Sequence, residues 1–539
     1  MVTNLKRKWI VFGFVLLFVS IYRVSGQNCT GAQDFSFSPS QGGINWRQFP
    51  EFSLPFTIIY SGSQAIYDPD ALLKRGFTHV SNPNGISSLP TTNRAYIYYG
   101  VANADQPWRN YKSPYGNDMN VYHRKWDDDL VWFRTQNGGS SAVDLFCLDI
   151  ETHHKSRDSV LALKTRSFVP AEIRALSDEA FIARYQKDMQ DLYAYAAAYI
   201  KQRVNARVIT AYGDVPIANT FTNIQGPSWE KWQTDPGLLN YIAYDFQQKK
   251  AGGSYYALMD VLSPNAYFYY DYPHIFAGEY LSYLMFQTEA NRAWSARDQW
   301  IFLWNRYSYT PQFTGKNIRP WMSEAMAIFP FFSGARGIWL WDNMEPSADY
   351  SGYGYFMKGL YRLSAFRSFF EGDHQLVQPV SARDYNENKQ PVWRGVYKDG
   401  RLLVAAHNPW AKSENEQVTI TINYGSLKET ITLKGYEVFL CSYAADAVAG
   451  NEPALTSLTV YPNPAEGPVS YKVKTGGERF LRLSVSDELG RVLHREEVDT
   501  QGAAEYTASL DVRKYKMHQL YLRVEGGSFS HTRKILIQP

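Results

Sequence analysis

The chain has 539 residues, 45% hydrophobic and 20% charged, a globular balance that excludes wholesale disorder. A formal charge of +3, from 55 basic against 52 acidic residues, excludes the strongly basic field that nucleic-acid binding requires. The aromatic share of 16%, with 40 Tyr, 30 Phe and 15 Trp, is unusually high.

In chain order, Lys6, Arg7 and Lys8 precede an apolar run from Trp9 to Tyr22, and Val24 and Gly26 stand ahead of Gln27. This pattern predicts a signal peptide over residues 1–26. The run is shorter than the roughly 20 residues that span a bilayer. No later stretch is long and apolar enough to cross one, so no transmembrane span is expected in the mature protein. Cleavage removes Lys6, Arg7, Lys8 and Arg23 and leaves the mature chain near neutrality. Three cysteines, Cys29, Cys147 and Cys441, are too few and odd in number for a disulfide framework. They allow one bridge, and the sequence does not choose its pair. Residues 27–55 form a lead-in.

From residue 56 to 373, strand-like runs alternate with helix-like ones. Phe56–Ser61, Thr78–Ser81, Arg94–Gly100, Val143–Glu151, Ala206–Asp214, Val261–Tyr267, Gln299–Tyr307 and Ala335–Asp342 are short, apolar and rich in β-branched or aromatic residues. The longest helical pattern covers Ser177–Val204, with Ser177 as N-cap and apolar positions at Phe181, Tyr185, Met189 and Tyr193. Others cover Gly278–Ala296, Ile318–Phe332 and Tyr355–Phe370. Strands and helices alternating in this way predict an α/β fold, a (β/α)8 TIM barrel. The competing topology is an open doubly wound sheet, but no Gly-rich phosphate fingerprint follows any strand.

After His374 the texture changes to short alternating strands. Val392–Tyr397 and Arg401–His407 flank Lys398-Asp399-Gly400, a hairpin signal. Residues 374–445 therefore read as a small antiparallel β domain, and 446–454 as a linker. The last segment, 455–539, carries Tyr461-Pro462-Asn463-Pro464, then Leu481-Arg482-Leu483-Ser484-Val485, Leu489-Gly490-Arg491-Val492-Leu493, and a closing Leu520-Tyr521-Leu522-Arg523-Val524. It resembles the C-terminal sorting domain of the type IX secretion system of Bacteroidota. It departs from that pattern at Gln519, where a Gly is usual. The resemblance implies a β-sandwich, engagement of the secretion machinery, export across both membranes, and removal of this domain with release or surface attachment of the rest.

In a TIM barrel the chemistry sits at the C-terminal strand ends. Strand four reads Val143-Asp144-Leu145-Phe146-Cys147-Leu148-Asp149-Ile150-Glu151. Alternation puts Cys147, Asp149 and Glu151 on one face, toward the barrel mouth, and Phe146, Leu148 and Ile150 on the other. Two neighbouring carboxylates suit acid/base cleavage of a glycosidic bond. Strand five adds Tyr212 and Asp214, strand six Asn265 and Tyr267, strand seven Trp304 and Arg306, and strand eight Trp341, Asp342 and Asn343. Glu151, Asp149, Asp214 and Asp342 are thus the catalytic candidates. Tyr212, Asn265, Tyr267, Trp304, Arg306 and Trp341 are the candidates for carbohydrate binding, the tryptophans by stacking on a sugar face.

The spacing Asp144-x-x-Cys147-x-Asp149-x-Glu151 resembles the Asp-x-x-Asp-x-Asp-x-Glu motif of the chitinase-like glycoside hydrolases, as do Tyr267 on strand six and Trp341 on strand eight. The resemblance implies that Glu151 is the general acid and that Asp149 supports a substrate N-acetyl group. Cys147 stands where the family has its middle Asp, a charge-relaying residue. No cofactor or metal is expected, since His153-His154 has no His-Glu-x-x-His spacing. The expected function is that of a secreted glycoside hydrolase. The alternative is a glycan-binding or adhesive surface protein on the same scaffold, without catalysis.

Overall fold

The computed structural model describes residues 30–538 apart from 32–34, 40–41, 64–67, 82–85, 103–105, 111–112, 152–154, 219–223, 225, 309–311, 343–348, 447–455 and 528. The expected signal peptide, Cys29, His153, His154, Asn343 and residues 447–454 of the linker lie outside the described residues.

Seven parallel strands form one curled sheet: Thr57–Ser61, His79–Ser81, Arg94–Tyr98, Ala142–Leu148, Asn205–Ala211, Trp300–Trp304 and Gly337–Trp341. Neighbours follow chain order, and the last strand returns to pair with the first, Trp341 opposite Ser61. The remaining gap, between Asn205–Ala211 and Trp300–Trp304, is filled by residues 261–266. These make isolated bridges, Tyr212 to Ser263, Leu262 to Gln299 and Asn265 to Phe302. The N–H of Trp300 donates to the Leu262 carbonyl (2.9 Å) and that of Phe302 to Pro264 (2.8 Å). This closes an eight-membered TIM barrel. The expected regular sixth strand is reduced to bridges because Pro264 carries no N–H to donate.

Alternation along the strands separates two cores. Ile59, Ile97, Leu145, Cys147, Val208, Phe302 and Trp339 fill the barrel interior. Phe146, Leu148 and Ile150 face the helices instead. The surrounding helices include Met119–Gln136, Asp178–Lys201, Tyr280–Arg292, Pro320–Phe332 and Tyr353–Ser364. The hydroxyl of Ser177 accepts from the Ala180 N–H, and Asp178 and Glu179 favour the positive helix start. Phe181, Tyr185, Met189, Tyr193 and Ile200 then bury one stripe. The lead-in packs on this shell through Phe35 against Tyr361 (5.1 Å) and Phe37 against Tyr355 (4.9 Å).

A five-stranded antiparallel sheet follows, ordered Thr30–Gly31, Val438–Ala444, Arg401–His407, Val392–Lys398 and Gln375–Val377. Lys398 pairs with Arg401 across a two-residue turn. Asp399 and Gly400 take φ of 47° and 75° there, the left-handed pair that matches strand twist. Cys441 is disulfide-bonded, whereas Cys147 is a buried free thiol. The C-terminal domain is a sandwich of a three-stranded and a four-stranded antiparallel sheet around Leu458, Val473, Leu481, Leu483, Leu520, Leu522 and Ile535. Among the described residues, no helix is long and apolar enough to cross a membrane.

Candidate active site at the barrel mouth

The C-terminal strand ends enclose a cavity of about 240 Å³ lined by Ile97, Tyr99, Asp149, Glu151, Tyr212, Tyr267, Phe302, Trp304, Ser308, Thr314 and Trp341. Strand four ends at Leu148. The Asp149 N–H still donates to the Tyr98 carbonyl (3.1 Å), which continues the strand pairing by one step. Asp149 is buried with 9% exposure. Glu151 has left the strand: its φ of 50° turns the chain, and its side chain is exposed at the rim. The two carboxylates therefore meet the same cavity at different depths.

The walls are aromatic. Tyr267 stacks against Tyr212 and against Trp341, each at 6.0 Å between ring centres. Trp304 meets Trp341 edge-on at 5.1 Å, and Phe302 meets Tyr212 edge-on at 4.9 Å. The indole N–H of Trp341 donates to the Tyr99 hydroxyl (3.2 Å). Burial pushes the Tyr99 phenol up, and Asp149, Cys147 and Glu151 push it further against the opposing bond from Trp341. The Tyr267 phenol is also pushed up, first by burial and then by Tyr212 and Asp149. Both phenols thus stay neutral donors. The thiol of Cys147 is pushed well up by burial, Asp149 and Asp214. It therefore supplies no charge beneath Asp149.

Of the ten residues expected at the site, Asp149, Glu151, Tyr212, Tyr267, Trp304 and Trp341 line the cavity. The other four sit in its supporting wall. Asp214 is buried and accepts from the Tyr255 hydroxyl (2.8 Å). Asp342 accepts from the Trp304 indole (2.9 Å) and from Arg306 Nε (3.3 Å), which fixes the Trp304 ring. Burial raises the Asp342 carboxyl, with Arg306 opposing. Arg306 also donates to the carbonyls of Gly315 (3.2 Å) and Asp349 (2.6 Å). The backbone carbonyl of buried Asn265 accepts from Tyr283 (3.3 Å). Asp144, the first acid of the strand-four motif, lies at the opposite strand end. It bonds His79 Nε2 (2.9 Å) and the Arg207 guanidinium (2.9 and 2.7 Å). Sequence reasoning missed Ile97, Tyr99, Phe302, Ser308 and Thr314. Tyr99 had a signal, since it directly follows the Arg94–Tyr98 strand.

Residues 459–538 match the family model of the secretion system C-terminal sorting domain. The C-terminal domain is a secretion sorting domain. This sorting domain marks the chain for export and implies contact with the secretion machinery. No curated protein matches the chain. Among solved structures, bee venom hyaluronidase superposes with a TM-score of 0.40 at 12% identity, covering 57% of this chain and 99% of its own. A family 30 endoxylanase from Clostridium papyrosolvens gives 0.25 at 11% identity, covering 90% and 99%. A family 2 glycosyl hydrolase from Bacteroides cellulosilyticus gives 0.26 at 9%, covering 90% and 61%. At these identities and scores no residue role passes from those proteins to this one.

Proposed function

We propose that the protein is a secreted glycoside hydrolase that cleaves a polysaccharide or glycan at the barrel mouth. The observation that carries this reading is the convergence of Asp149 and Glu151 on one aromatic-walled cavity. Glu151, at the rim, donates its proton to the leaving glycosidic oxygen as the bond to the sugar breaks. Asp149, deeper and negatively charged, stabilises the positive charge that develops on the sugar. A water then adds at the sugar carbon and returns a proton to Glu151. Because Cys147 remains a thiol, Asp149 works without a charged partner below it. Tyr267 and Trp341 offer ring surface to a sugar face.

A second reading is glycan binding without cleavage. It is favoured by Asp214 and Asp342 bonding within the wall, which leaves the cavity acids on a single strand end. Incubating the mature protein with a polysaccharide panel separates the two. New reducing ends support hydrolysis, and binding without them supports the second reading. Neither cleavage nor binding on any N-acetylated or neutral glycan would overturn the carbohydrate assignment.

A further inference from the structure

A second cavity, of about 540 Å³, opens where the barrel meets the antiparallel domain, with Tyr272, Ile275, Trp321, Trp410, Lys412 and Tyr436 in its lining. It lies at the mouth end of the barrel. Phe268, at the end of the sixth barrel segment, bridges Tyr307, and the chain then runs on through Tyr272 to Ile275. The Tyr307 hydroxyl donates to Asp271 (2.7 Å), which also accepts from Arg319 Nε (2.7 Å) and Nη2 (3.0 Å) at the start of the helix Pro320–Phe332. Tyr307 adjoins Ser308, which lines the first cavity, and Arg319 lines the second. One carboxylate thus ties the two cavities together. Between Tyr267 of the first and Ile275 of the second, Tyr270 stacks on His274 at 4.2 Å. The walls of the second cavity are rings. Trp321 stacks on Tyr436 at 4.2 Å with 8° between the planes, and Tyr272 meets the two edge-on at 5.7 and 5.1 Å. The hydroxyls of Tyr272 and Tyr436 donate to the carbonyls of Pro409 and Ala411 (2.5 Å each), so the turn carrying Trp410 is held from both sides. Gly278 lets the Trp410 ring lie flush on the barrel, since an added Cβ would stand 2.5 Å from it. Trp321, Trp410 and Tyr436 stay half-buried, and Ile275 at the lip is 72% exposed.

We propose that this second cavity is a carbohydrate-binding groove that holds the part of a glycan chain lying beyond the mouth. A cavity of this size at a domain junction, mostly apolar with a few polar groups, has the build of a ligand site. Rings fixed by their neighbours suit the apolar face of a sugar, because little freedom is lost when the sugar settles on them. Besides the rings, the polar side chains of the lining are His274, Arg319 and Lys412, and no carboxylate lines it. The nearby acids are engaged: Asp271 by Arg319 and Tyr307, and Glu416 by the Lys412 N–H. The lip therefore presents N–H donors to the hydroxyl and ring oxygens of a sugar. A chain held in both cavities leaves more slowly than a chain held in one. The proposal rests on the carbohydrate reading of the mouth and adds that the ligand is a polymer rather than a short sugar.

The test is affinity electrophoresis of the full chain in native gels containing xylan, laminarin, glycol chitin or polygalacturonate, with a gelatin gel as the polypeptide arm. At least one polysaccharide should retard the unaltered protein. Trp410→Ala should raise the dissociation constant for that polymer about tenfold, the scale of one aromatic contact, with a smaller effect on binding a trisaccharide of the same sugar. Ile275→Ala, at the exposed lip, should raise it about threefold with the melting temperature by circular dichroism unmoved. Weakened retardation in both variants, with no cleavage by the unaltered protein, would uphold the groove and overturn hydrolysis at the mouth. Unchanged retardation in both variants would overturn the groove and leave the mouth reading standing. A loss in Trp410→Ala matched by a fall in melting temperature, with Ile275→Ala unchanged, would also overturn the groove. Retardation by gelatin and by no polysaccharide would assign the groove to a proline-rich polypeptide and overturn the proposal. No retardation in any gel would overturn both readings.

Discussion

Glu151 owes its place to its own left-handed backbone, φ 50°, which turns the chain three residues past the end of strand four and brings its carboxylate to the rim. Strand alternation made Asp149, Glu151 and Cys147 legible as one set. It did not reveal that Glu151 leaves the strand, nor that Asp342 is bonded by Trp304 and Arg306, because those partners are remote in sequence. Trp341 is partly buried and bonded to Tyr99. Trp341→Ala should weaken glycan binding by about 1–3 kcal/mol, measured by calorimetry. Unchanged affinity with a large loss of stability would make it a core residue only. Asp144 carries a pH dependence. Burial pushes its carboxyl up, but His79 and Arg207 more than reverse this and hold it at about 2, below its ordinary 3.8. A lowered value in the folded state means stability that is complete above 3.8 and lost as pH falls through about 2. Across that window the melting temperature should fall less steeply in Asp144→Asn than in the unaltered protein. Parallel slopes would contradict the assignment.

Elements were legible where a local signal and the fold agree. The Ser177 cap and its apolar stripe give the helix Asp178–Lys201, and Asp399-Gly400 gives its hairpin. The sixth barrel segment read as a strand from its apolar residues, but Pro264 leaves it only bridges. Asp127-Asp128-Asp129 reads as a solvated face or a helix start; the start is Asp118, and the run lies in mid-helix with Asp128 exposed and Asp127 accepting from the Tyr199 hydroxyl (2.9 Å). Long-range ion pairs were not legible at all. Glu289 on the helix Tyr280–Arg292 pairs with fully buried Arg394 of the antiparallel sheet (2.6 Å) and accepts from the Ala382 N–H (2.9 Å). Removing it strands a buried guanidinium. Glu289→Ala should cost about 3–5 kcal/mol in chemical unfolding. A change within about 0.5 kcal/mol, typical of surface positions, would show that this pair does not join the two domains.

For the whole molecule, a barrel with its cavity at one end carries an export signal at the other. Deleting residues 455–539 should leave the barrel folded, by circular dichroism, and hold it in the periplasm. Normal secretion of the shortened chain would contradict the role of the sorting domain. The motif Tyr461-Pro462-Asn463-Pro464 made this domain legible from sequence, whereas its contacts Arg482 to Asp298 (2.7 Å) and His531 to Asp373 (2.9 Å) join residues remote in sequence. The proposed function turns on proton transfer at the mouth. The decisive measurement compares Glu151→Gln with the unaltered protein for cleavage and binding of the glycan found on the panel. Hydrolysis should fall by about 10²–10⁴-fold while binding persists, because the amide keeps the shape and cannot give up a proton. Full hydrolytic activity in Glu151→Gln would contradict the assignment.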